Sequence, residues 1–289
     1  MFYSPLRYPG GKGKLAPLME LLIKQTGHYG GTYIDPFAGG AGIALELLEK
    51  NIVKDVVIND LDKGIYSFWR AILTETERFI NDIRTVELNI SEWNNQREII
   101  NDCSRYSYEL GFATFYLNRT NRSGIIKGGV IGGIEQSGKW KIDARFNRED
   151  IIKRITKISV NKKHIHLYNK DVDSFIKNYL PKYQENAFVY FDPPYFDKGK
   201  QLYLNFFSYD DHVRIEQMIN GQVNCDWVIT YDDAPEIANI YQKNVFRRFD
   251  LNYSVGIKRK ASEIIIFRYD TMIPTMEQLE QNGIYINMR

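Results

Sequence analysis

One stretch near the start of this 289-residue chain constrains its fold more than any other. Residues 32–37 form an apolar segment that runs into the glycine-rich residues 38–42, and a helical pattern follows at residues 43–48. Residues 55–60 then have the composition of a second buried strand. A strand, a glycine loop, a helix and another strand in this order predict the opening of a doubly wound α/β domain.

The same α/β pattern returns in the second half of the chain. We predict strands at residues 165–168, 187–191 and 227–230, helices at 172–179 and 212–219, and an antiparallel pair at 245–251 and 262–268. The stretch between the two halves is predicted to be helical at 61–117 and 148–158, with an irregular hairpin at 124–140 whose short strands are 125–126 and 130–131. The predicted domains are therefore 1–61 with 162–289, interrupted by a mostly helical insertion at 62–161.

The glycine loop indicates a nucleoside ligand. A dinucleotide fingerprint would need glycine or alanine at Leu45, and a phosphate-binding P-loop would need Ser or Thr where Leu15 stands. The ligand therefore need not carry a pyrophosphate. Asp60 ends the second strand, 18 residues beyond Gly42, where an acidic side chain accepts hydrogen bonds from ribose hydroxyls. The alternative for Asp60 is a cap on the next helix.

A second motif follows the predicted strand at residues 187–191. It reads Asp192-Pro193-Pro194-Tyr195. The two prolines restrict the backbone and remove two hydrogen-bond donors, so the turn is stiff and rich in carbonyl acceptors. An acceptor-lined turn with an aromatic face suits an amino group on a planar ring, and open α/β sheets bind ligands at the carboxyl ends of their strands. A plain polar loop is the alternative.

Charge is unevenly distributed. The net charge is only +2, but residues 119–170 contain thirteen Lys or Arg against four acidic residues. A basic region on a balanced protein predicts a polyanion partner, although such residues also serve as solvated helix faces. A second basic cluster, Lys258-Arg259-Lys260, is either a phosphate clamp or a solvated turn.

Several classes of protein are disfavoured. No apolar stretch approaches the roughly 18 residues of a membrane span, and the first residues lack the basic and apolar segments of a secretion signal. Two distant cysteines and four scattered histidines provide neither a disulfide framework nor a metal site. We expect a cytoplasmic protein without a membrane or metal partner.

These motifs together resemble the Dam-like class of DNA adenine-N6 methyltransferases, over roughly residues 6–268. Residues 7–12 (RYPGGK) resemble that family's N-terminal cofactor motif, residues 35–42 its glycine motif, and Asn59-Asp60 its ribose-binding acid. Residues 115–119 (FYLNR) resemble part of its DNA-recognition region, and the tetrad at Asp192 resembles its catalytic motif. The order of these motifs along the chain also resembles the order in that family.

The resemblance implies a Rossmann-like methyltransferase sheet with an inserted DNA-recognition domain. It implies transfer of a methyl group from S-adenosyl-L-methionine to N6 of an adenine flipped out of double-stranded DNA. The implied catalytic residues are Asp192, Pro193, Pro194 and Tyr195. The implied cofactor-binding residues are Tyr8, Lys12, Asp35, Phe37, Gly39, Gly40, Gly42, Asp60, Asp171 and Asp192. For Asp171, a helix cap before Val172 is an equal alternative.

Six basic residues of the insertion are the candidates for DNA contact, some with phosphates and one or two with base edges. They are Arg119, Arg122, Lys127, Lys139, Lys141 and Arg145. The chain departs from the family at residues 230–232 (TYD), where Ser-Asn before an acid is common, and in its glycine-rich stretch at 124–140. The second departure leaves the target sequence open.

Three rival functions remain at this stage. The same tetrad serves cytosine N4, a protein amide would instead favour Asn at position 192, and a decayed methyltransferase fold could serve only to bind DNA. For an adenine methyltransferase we expect a prokaryotic or phage source. A cognate restriction endonuclease acting on the same site, without binding this chain, would fit that source.

Overall fold

The computed structural model describes residues 3–7, 12–102, 105–196, 207–253, 259–286 and 288–289. Its centre is a seven-stranded sheet in the order β3-β2-β1-β4-β5-β7-β6. The strands are β1 (Thr32–Asp35), β2 (Asp55–Asn59), β3 (Ile165–Tyr168), β4 (Ala187–Phe191), β5 (Asp226–Asp232), β6 (Val245–Tyr253) and β7 (Arg259–Phe267). The first five are mutually parallel, and β7 runs antiparallel to both β5 and β6.

Helices surround this sheet. In the described part of the chain they are α1 (Ala16–Gln25), α2 (Gly42–Glu49), α3 (Lys63–Thr74), α4 (Thr76–Thr85), α5 (Ile90–Asp102), α6 (Tyr108–Thr120), α7 (Arg148–Val160), α8 (Val172–Asn178), α9 (Tyr209–Gln222), α10 (Pro235–Ile240) and α11 (Met276–Gln281). Short 3-10 turns lie at Gly13–Leu15, Arg122–Gly124, Ile142–Arg145, Lys162–His164, Leu180–Asn186 and Asp270–Met272. No helix among these residues is long and apolar enough to span a membrane.

The sheet forms because its central strands are apolar on both faces. All five residues of β4 are buried, as expected for a parallel strand covered by helices on each side. Successive residues of β1 point to opposite faces, so Tyr33 joins the core beneath α1 and α2, whereas Ile34 joins the core beneath α8 and α9. The two cores hold the helical layers against the sheet.

The strand order decides where a ligand can bind. The chain builds outward from β1 through β2 to β3 and then returns to pair β4 on the other side of β1. This reversal leaves a crevice outside the carboxyl ends of β1 and β4, which is the usual ligand position in doubly wound sheets. The residues that follow these two strands, including the glycine loop and Asp192, therefore meet at one edge.

The helices between β2 and β3 pack around a cluster of aromatic rings. Phe79 contacts Phe68, Phe112 and Phe115 with ring centroids 5.3–5.8 Å apart. Aromatic pairs at such spacing add about 0.5–1.5 kcal/mol each beyond the area they bury. The cluster is continuous with the core under α1 and α2, so the helical segment is anchored to the sheet by apolar contact.

The predicted doubly wound α/β fold is confirmed, and the predicted strands and helices appear with shifts of a few residues at their ends. The strands predicted at 125–126 and 130–131 are wrong. That stretch forms turns joined by a single bridge between Asn121 and Val130, because Gly132 and Gly133 adopt positive φ angles of 89° and 77° that end any extended segment.

Helix α1 was not predicted, nor were α10 and α11. In α1 the residues Leu18, Met19, Leu21, Leu22 and Ile23 are all buried, so the helix shows no polar face along much of its length. A helix that is apolar nearly all round lacks the 3.6-residue alternation from which amphipathic helices are recognised.

Candidate active site

The tetrad begins where β4 leaves the sheet. A carboxylate oxygen of Asp192, Oδ1, lies 2.8 Å from Lys12 Nζ and accepts a hydrogen bond of 3.3 Å from Thr230 Oγ1 on the neighbouring strand β5. Its side chain remains 25% exposed although the surrounding side chains are buried. Asp192 is therefore held firmly on one side and remains accessible to a ligand on the other.

Lys12 contacts three polar side chains of this site. Its side chain is 1% exposed, and its ammonium group contacts Asp192, donates to Thr230 Oγ1 at 2.6 Å and lies 3.2 Å from Glu263 Oε2. The Thr230 hydroxyl is also 2.7 Å from the hydroxyl of Tyr190. Burial alone would lower the pKa of Lys12, but the carboxylates of Asp192 and Glu263 raise it above its ordinary value. Lys12 is therefore a permanent buried cation.

Tyr195, the last residue of the tetrad, is 6% exposed. Its hydroxyl donates to Glu263 Oε1 at 2.8 Å, and its ring lies beneath the ammonium group of Lys12, with Nζ 4.9 Å from the ring centroid. The backbone N–H of Phe196 donates to Asp232 Oδ1 at 2.9 Å. The turn after β4 is thus tied to the side chains of two other strands.

Glu263 is the site residue that the sequence reasoning missed. It lies on β7 directly opposite Asp232 of β5 and is 1% exposed. Its carboxylate contacts both Lys12 and the Tyr195 hydroxyl. A signal did exist, because a lone glutamate heads the apolar run 264–267, and a carboxylate in a buried strand requires a partner.

The pKa of Asp192 is raised above its ordinary value. Burial is the main cause, the Lys12 cation opposes it, and the negative charge of Glu263 adds to it. Two carboxylates therefore share one buried cation, and the charge of Glu263 influences the ionisation of Asp192.

This arrangement predicts the effect of Glu263→Gln. The amide oxygen still accepts from Tyr195, but the negative charge that raises the pKa of Asp192 is gone, so that pKa should fall. We expect the acidic limb of the kcat–pH profile to move to lower pH. Glu280→Gln, an exposed position on α11, is the control. An unshifted acidic limb would show that Glu263 does not act on Asp192.

The glycine loop lies at the same edge of the sheet. Gly39 has a φ of 47° in the left-handed region, its N–H donates to Asp60 Oδ2 at 2.9 Å, and its carbonyl accepts from Trp69 Nε1 at 2.9 Å. Gly40 is buried, and Gly42 begins α2 where an added Cβ would meet open space. The loop is therefore held in shape by the protein while leaving room in front of the helix.

Asp60 does not cap the following helix. Asp62 does so, because its side chain accepts from Ile65 N at 2.9 Å. Asp60 instead accepts from the N–H groups of Gly39 and Asp62, and burial raises its pKa to about 7, with the charge of Asp62 adding to the rise. The helix-cap alternative for Asp60 is therefore wrong.

The other predicted cofactor residues lie in different settings. Asp35 is buried, with its pKa raised well above normal by burial and by nearby Asp192, and it accepts from Phe37 N at 3.3 Å. Phe37 is partly exposed, with its ring edge-on to that of Phe207. Asp171 is exposed and caps α8 through Ser174 N at 2.8 Å. Tyr8 lies outside the described residues.

Of the six predicted DNA-contacting residues, five are exposed and one is buried. Arg122, Lys127, Lys139, Lys141 and Arg145 present their side chains to solvent. Arg119 is 8% exposed and donates to the Pro5 carbonyl at 3.3 Å. Burial, with the charge of Arg7 adding to it, lowers the pKa of Arg119 to about 10. In this structure Arg119 ties helix α6 to the N-terminal segment. Of the basic cluster 258–260, Lys258 lies outside the described residues.

The neighbouring Asn118 makes the same connection more extensively. It is 2% exposed, accepts from Arg7 N at 2.7 Å, and donates to the carbonyls of Arg7 and Gly124 at 2.8 and 2.9 Å. Gly124 has a φ of 77°, and a Cβ there would lie 2.3 Å from the Arg7 carbonyl oxygen. One buried amide thus joins the segment leading to Lys12 with the turn after α6.

The glycine loop with Asp60 and the acceptor-lined turn at Asp192 share one edge of a doubly wound sheet. Fold and site together define a Rossmann-like methyltransferase. A sequence profile of the D12 class N6 adenine-specific DNA methyltransferases matches residues 8–257, and the chain belongs to this family. It is therefore a DNA adenine methyltransferase. Membership of this family favours methylation of adenine N6 over the rival functions.

Three relatives are similar over most of their length. The type II methyltransferase M.MjaIII of Methanocaldococcus jannaschii is 24% identical, over 91% of this chain and 98% of its own. M1.LlaDCHI of Lactococcus lactis subsp. cremoris is 21% identical over 91% and 94%, respectively. M.CviBI of Paramecium bursaria Chlorella virus NC1A is 25% identical over 82% and 90%. The resemblance drawn from the sequence motifs is confirmed.

Proposed function

We propose that this chain is a site-specific enzyme that methylates N6 of an adenine flipped out of double-stranded DNA, with S-adenosyl-L-methionine as the donor. The observation that carries the proposal is Asp192, held by Lys12 and Thr230 on one side and 25% exposed on the other, at the sheet edge that also bears the glycine loop. An acceptor in that position fits an exocyclic amine.

Asp192 and the Pro193 carbonyl would each accept a hydrogen bond from the adenine amino group. The N6 lone pair is normally delocalised into the ring, and two acceptors favour a pyramidal nitrogen whose lone pair is available for attack. Lys12 and Thr230 orient the carboxylate for this task. Orientation of this kind supplies up to roughly 7–11 kcal/mol in favourable cases. No covalent enzyme intermediate is required.

The residues present fit S-adenosyl-L-methionine, which supplies an electrophilic sulfonium methyl group when bound. The open space in front of Gly42 provides room beside the helix N-terminus, and Asp60 is the acceptor for ribose hydroxyls. Phe37 provides an aromatic surface, and the buried carboxyl of Asp35 lies close enough to Asp192 for the charge of Asp192 to raise the pKa of Asp35. We assign Tyr8, Lys12, Gly39 and Gly40 to the same pocket. Asp171 would join it only by leaving its helix cap.

Cofactor binding should depend on pH through Asp60. Its pKa of about 7 means that the carboxylate is protonated as the pH falls below neutrality, and only the ionised form is a full acceptor for ribose hydroxyls. We expect the affinity for S-adenosyl-L-methionine to fall by up to about tenfold per pH unit below pH 7.

Isothermal titration calorimetry from about pH 5.5 to about pH 8.5, on both sides of the pKa of Asp60, measures this effect. Asp60→Asn should bind more weakly at high pH and lose this dependence. An identical slope in the variant would assign the titration to another group and remove Asp60 from the ribose role.

DNA would bind across the helical insertion, and we propose residues 62–161 as the recognition domain. The insertion carries five exposed basic residues. Three further arginines lie close together, because the charges of Arg7 and Arg154 each lower the pKa of Arg119. A concentration of positive charge of this kind attracts a polyanion. The amine of a paired adenine is inaccessible, so the base must leave the duplex, at a cost of a few kcal/mol. We assign Tyr195 to stack on it.

The exposed lysines predict a strong salt dependence of DNA binding. If Lys127, Lys139 and Lys141 contact phosphates, the affinity falls steeply with salt, and each Lys→Ala substitution reduces the slope of log K against log salt by about one. Fluorescence anisotropy with a labelled duplex measures the slope. Lys177→Ala, an exposed position on α8, is the control and should leave it unchanged. A flat salt dependence would overturn the assignment of this surface.

The decisive experiment is expression followed by analysis of the host DNA. Nucleoside mass spectrometry should detect N6-methyladenine, and modification-sensitive sequencing should place it within one recurring sequence. Detection of N4-methylcytosine instead would overturn the proposal.

Because the relatives above are type II methyltransferases, we also propose that the enzyme acts in the cytoplasm beside a restriction endonuclease that recognises the same site.

A further inference from the structure

The insertion exposes a tryptophan side chain that has no evident role in the fold. Trp140 is 63% exposed, whereas the other three tryptophans of the chain are at most 2% exposed. Ile134, in the same loop, is 55% exposed. We call residues 125–141 the recognition loop. Two exposed apolar side chains on one loop leave area in contact with water that burial would stabilise by about 25 cal/mol per Å².

The recognition loop is held in a defined shape by its own hydrogen bonds. The Gln136 side chain donates to the carbonyls of Ile131 and Gly133 at 2.8 and 2.6 Å, and its oxygen accepts from Ile142 N at 2.9 Å. Gly138 N donates to the Gly132 carbonyl at 3.1 Å, and Lys141 donates to the Gln136 carbonyl. Trp140 is therefore displayed by a preorganised loop, which reduces the entropy lost when it makes a contact.

The surroundings of Trp140 point to a nucleic acid. The ammonium group of Lys139 lies 5.7 Å from the centre of its indole ring, and Lys141 follows directly in sequence. Residues 122–145 contain five basic and two acidic side chains. This excess charge would repel a second copy of the same loop but attracts a phosphate backbone. An aromatic ring among cations is the combination with which proteins stack on bases while binding phosphates.

We propose that Trp140 is a base-contacting residue that packs its indole ring against a base unstacked when the target adenine leaves the duplex, and that Ile134 of the same loop is a smaller apolar contact. The flanking cations bind the phosphates, and the ring contributes contact area that depends on bases. The inference rests on the proposed action on double-stranded DNA.

Tryptophan fluorescence provides a direct test, because Trp140 is the only one of the four tryptophans that solvent can reach. Quenching by acrylamide therefore reports on this side chain in the intact enzyme. A duplex carrying the enzyme's methylation sequence should protect Trp140 from the quencher. If anisotropy shows that the duplex binds while acrylamide quenching is unchanged, the inference is overturned and the proposed function stands. If no duplex binds under any condition, the proposed function fails as well.

Two substitutions of Trp140 separate the contribution of its ring to DNA binding from that of the neighbouring lysines. Trp140→Ala should weaken DNA binding by about 5- to 150-fold, the range for loss of one stacked base, while leaving S-adenosyl-L-methionine binding unchanged. Trp140→Phe should recover part of the loss. Tyr29→Ala is the matched control, because Tyr29 is 59% exposed but precedes β1 at the opposite edge of the sheet. Equal DNA affinity in wild type and Trp140→Ala would overturn the inference, as would protection of Trp140 by protein concentration alone.

Discussion

Asp192→Ala is expected to remove nearly all methyl transfer and leave a folded protein. The substitution removes the acceptor that we propose for the adenine amine. Lys12 keeps Glu263 and Thr230 as partners, so the buried ammonium group still has acceptors and the fold should hold. Loss of a preorganised polar group at a reacting centre typically lowers kcat by about 100- to 1,000-fold. Transfer of radiolabelled methyl groups to DNA at saturating substrate measures the effect.

Two companion variants make the result interpretable. Asp192→Asn keeps the shape and one acceptor oxygen, so it should retain more activity than alanine if acceptor geometry matters and equally little if the charge is required. Asp210→Asn, at an exposed position on α9, should behave as wild type. Thermal unfolding of each variant confirms the fold. Substantial methylation by folded Asp192→Ala would remove Asp192 from the catalytic role.

Lys12→Met should have the second large effect, on both stability and pH dependence. Lys12 is the cation that contacts both the Asp192 and the Glu263 carboxylate, so its removal takes the positive charge away from two neighbouring negative charges, one of them almost fully buried. Removing one member of a buried ion pair costs about 3–5 kcal/mol in the free energy of unfolding. The loss should be visible in urea titrations at neutral pH.

The direction of the pH effect follows from the pKa of Asp192. Lys12 lowers that pKa, so its removal raises it further above the value in the unfolded chain. A carboxyl with a raised folded-state pKa contributes stability at low pH that is lost as the pH rises through that pKa. The stability difference between Lys12→Met and wild type should therefore grow as the pH rises through the pKa of Asp192. The acidic limb of kcat should move to higher pH.

A double variant tests whether charge balance is the cause. Lys12→Met combined with Glu263→Gln leaves one carboxylate at the site instead of two, and the remaining one, Asp192, is partly exposed. The double variant should therefore recover part of the lost stability without recovering activity. Strictly additive losses in the double variant would mean that Lys12 and Glu263 are not coupled. If the Lys12→Met protein is as stable as wild type at about pH 8, the two carboxylates do not depend on the Lys12 cation, and the prediction is wrong.

Much of the site could be predicted because its signals are local in sequence. The glycine loop, Asp60 and the tetrad at Asp192 each sit directly after an apolar run, and strands of this kind end at the functional edge of a doubly wound sheet. The order of the motifs was enough to recognise the family. The choice between a ligand contact and a helix cap was harder to make from sequence, because Asp60 and Asp171 both precede a predicted helix. The structure shows a cap only at Asp171.

Residue type was a poor guide where burial decided the role. Arg119 belongs by composition with the basic residues of the insertion, yet it is buried against the Pro5 carbonyl. Asn118, an ordinary polar residue in a helix, joins two segments more than a hundred residues apart through its side-chain amide. Neither position carries a periodic or motif signal that distinguishes it from an exposed neighbour.

By itself, the sequence determined the doubly wound fold, the family and the residues at each strand end, because hydrophobic period and turn chemistry act over a few residues. Only the tertiary structure decided that Lys12, Asp192 and Glu263 form one buried charge network. Lys12 and Glu263 stand 251 positions apart, and β7 brings them together by running antiparallel beside β5. Which side chains face each other across such a distance depends on sheet order and register, and no local pattern records either.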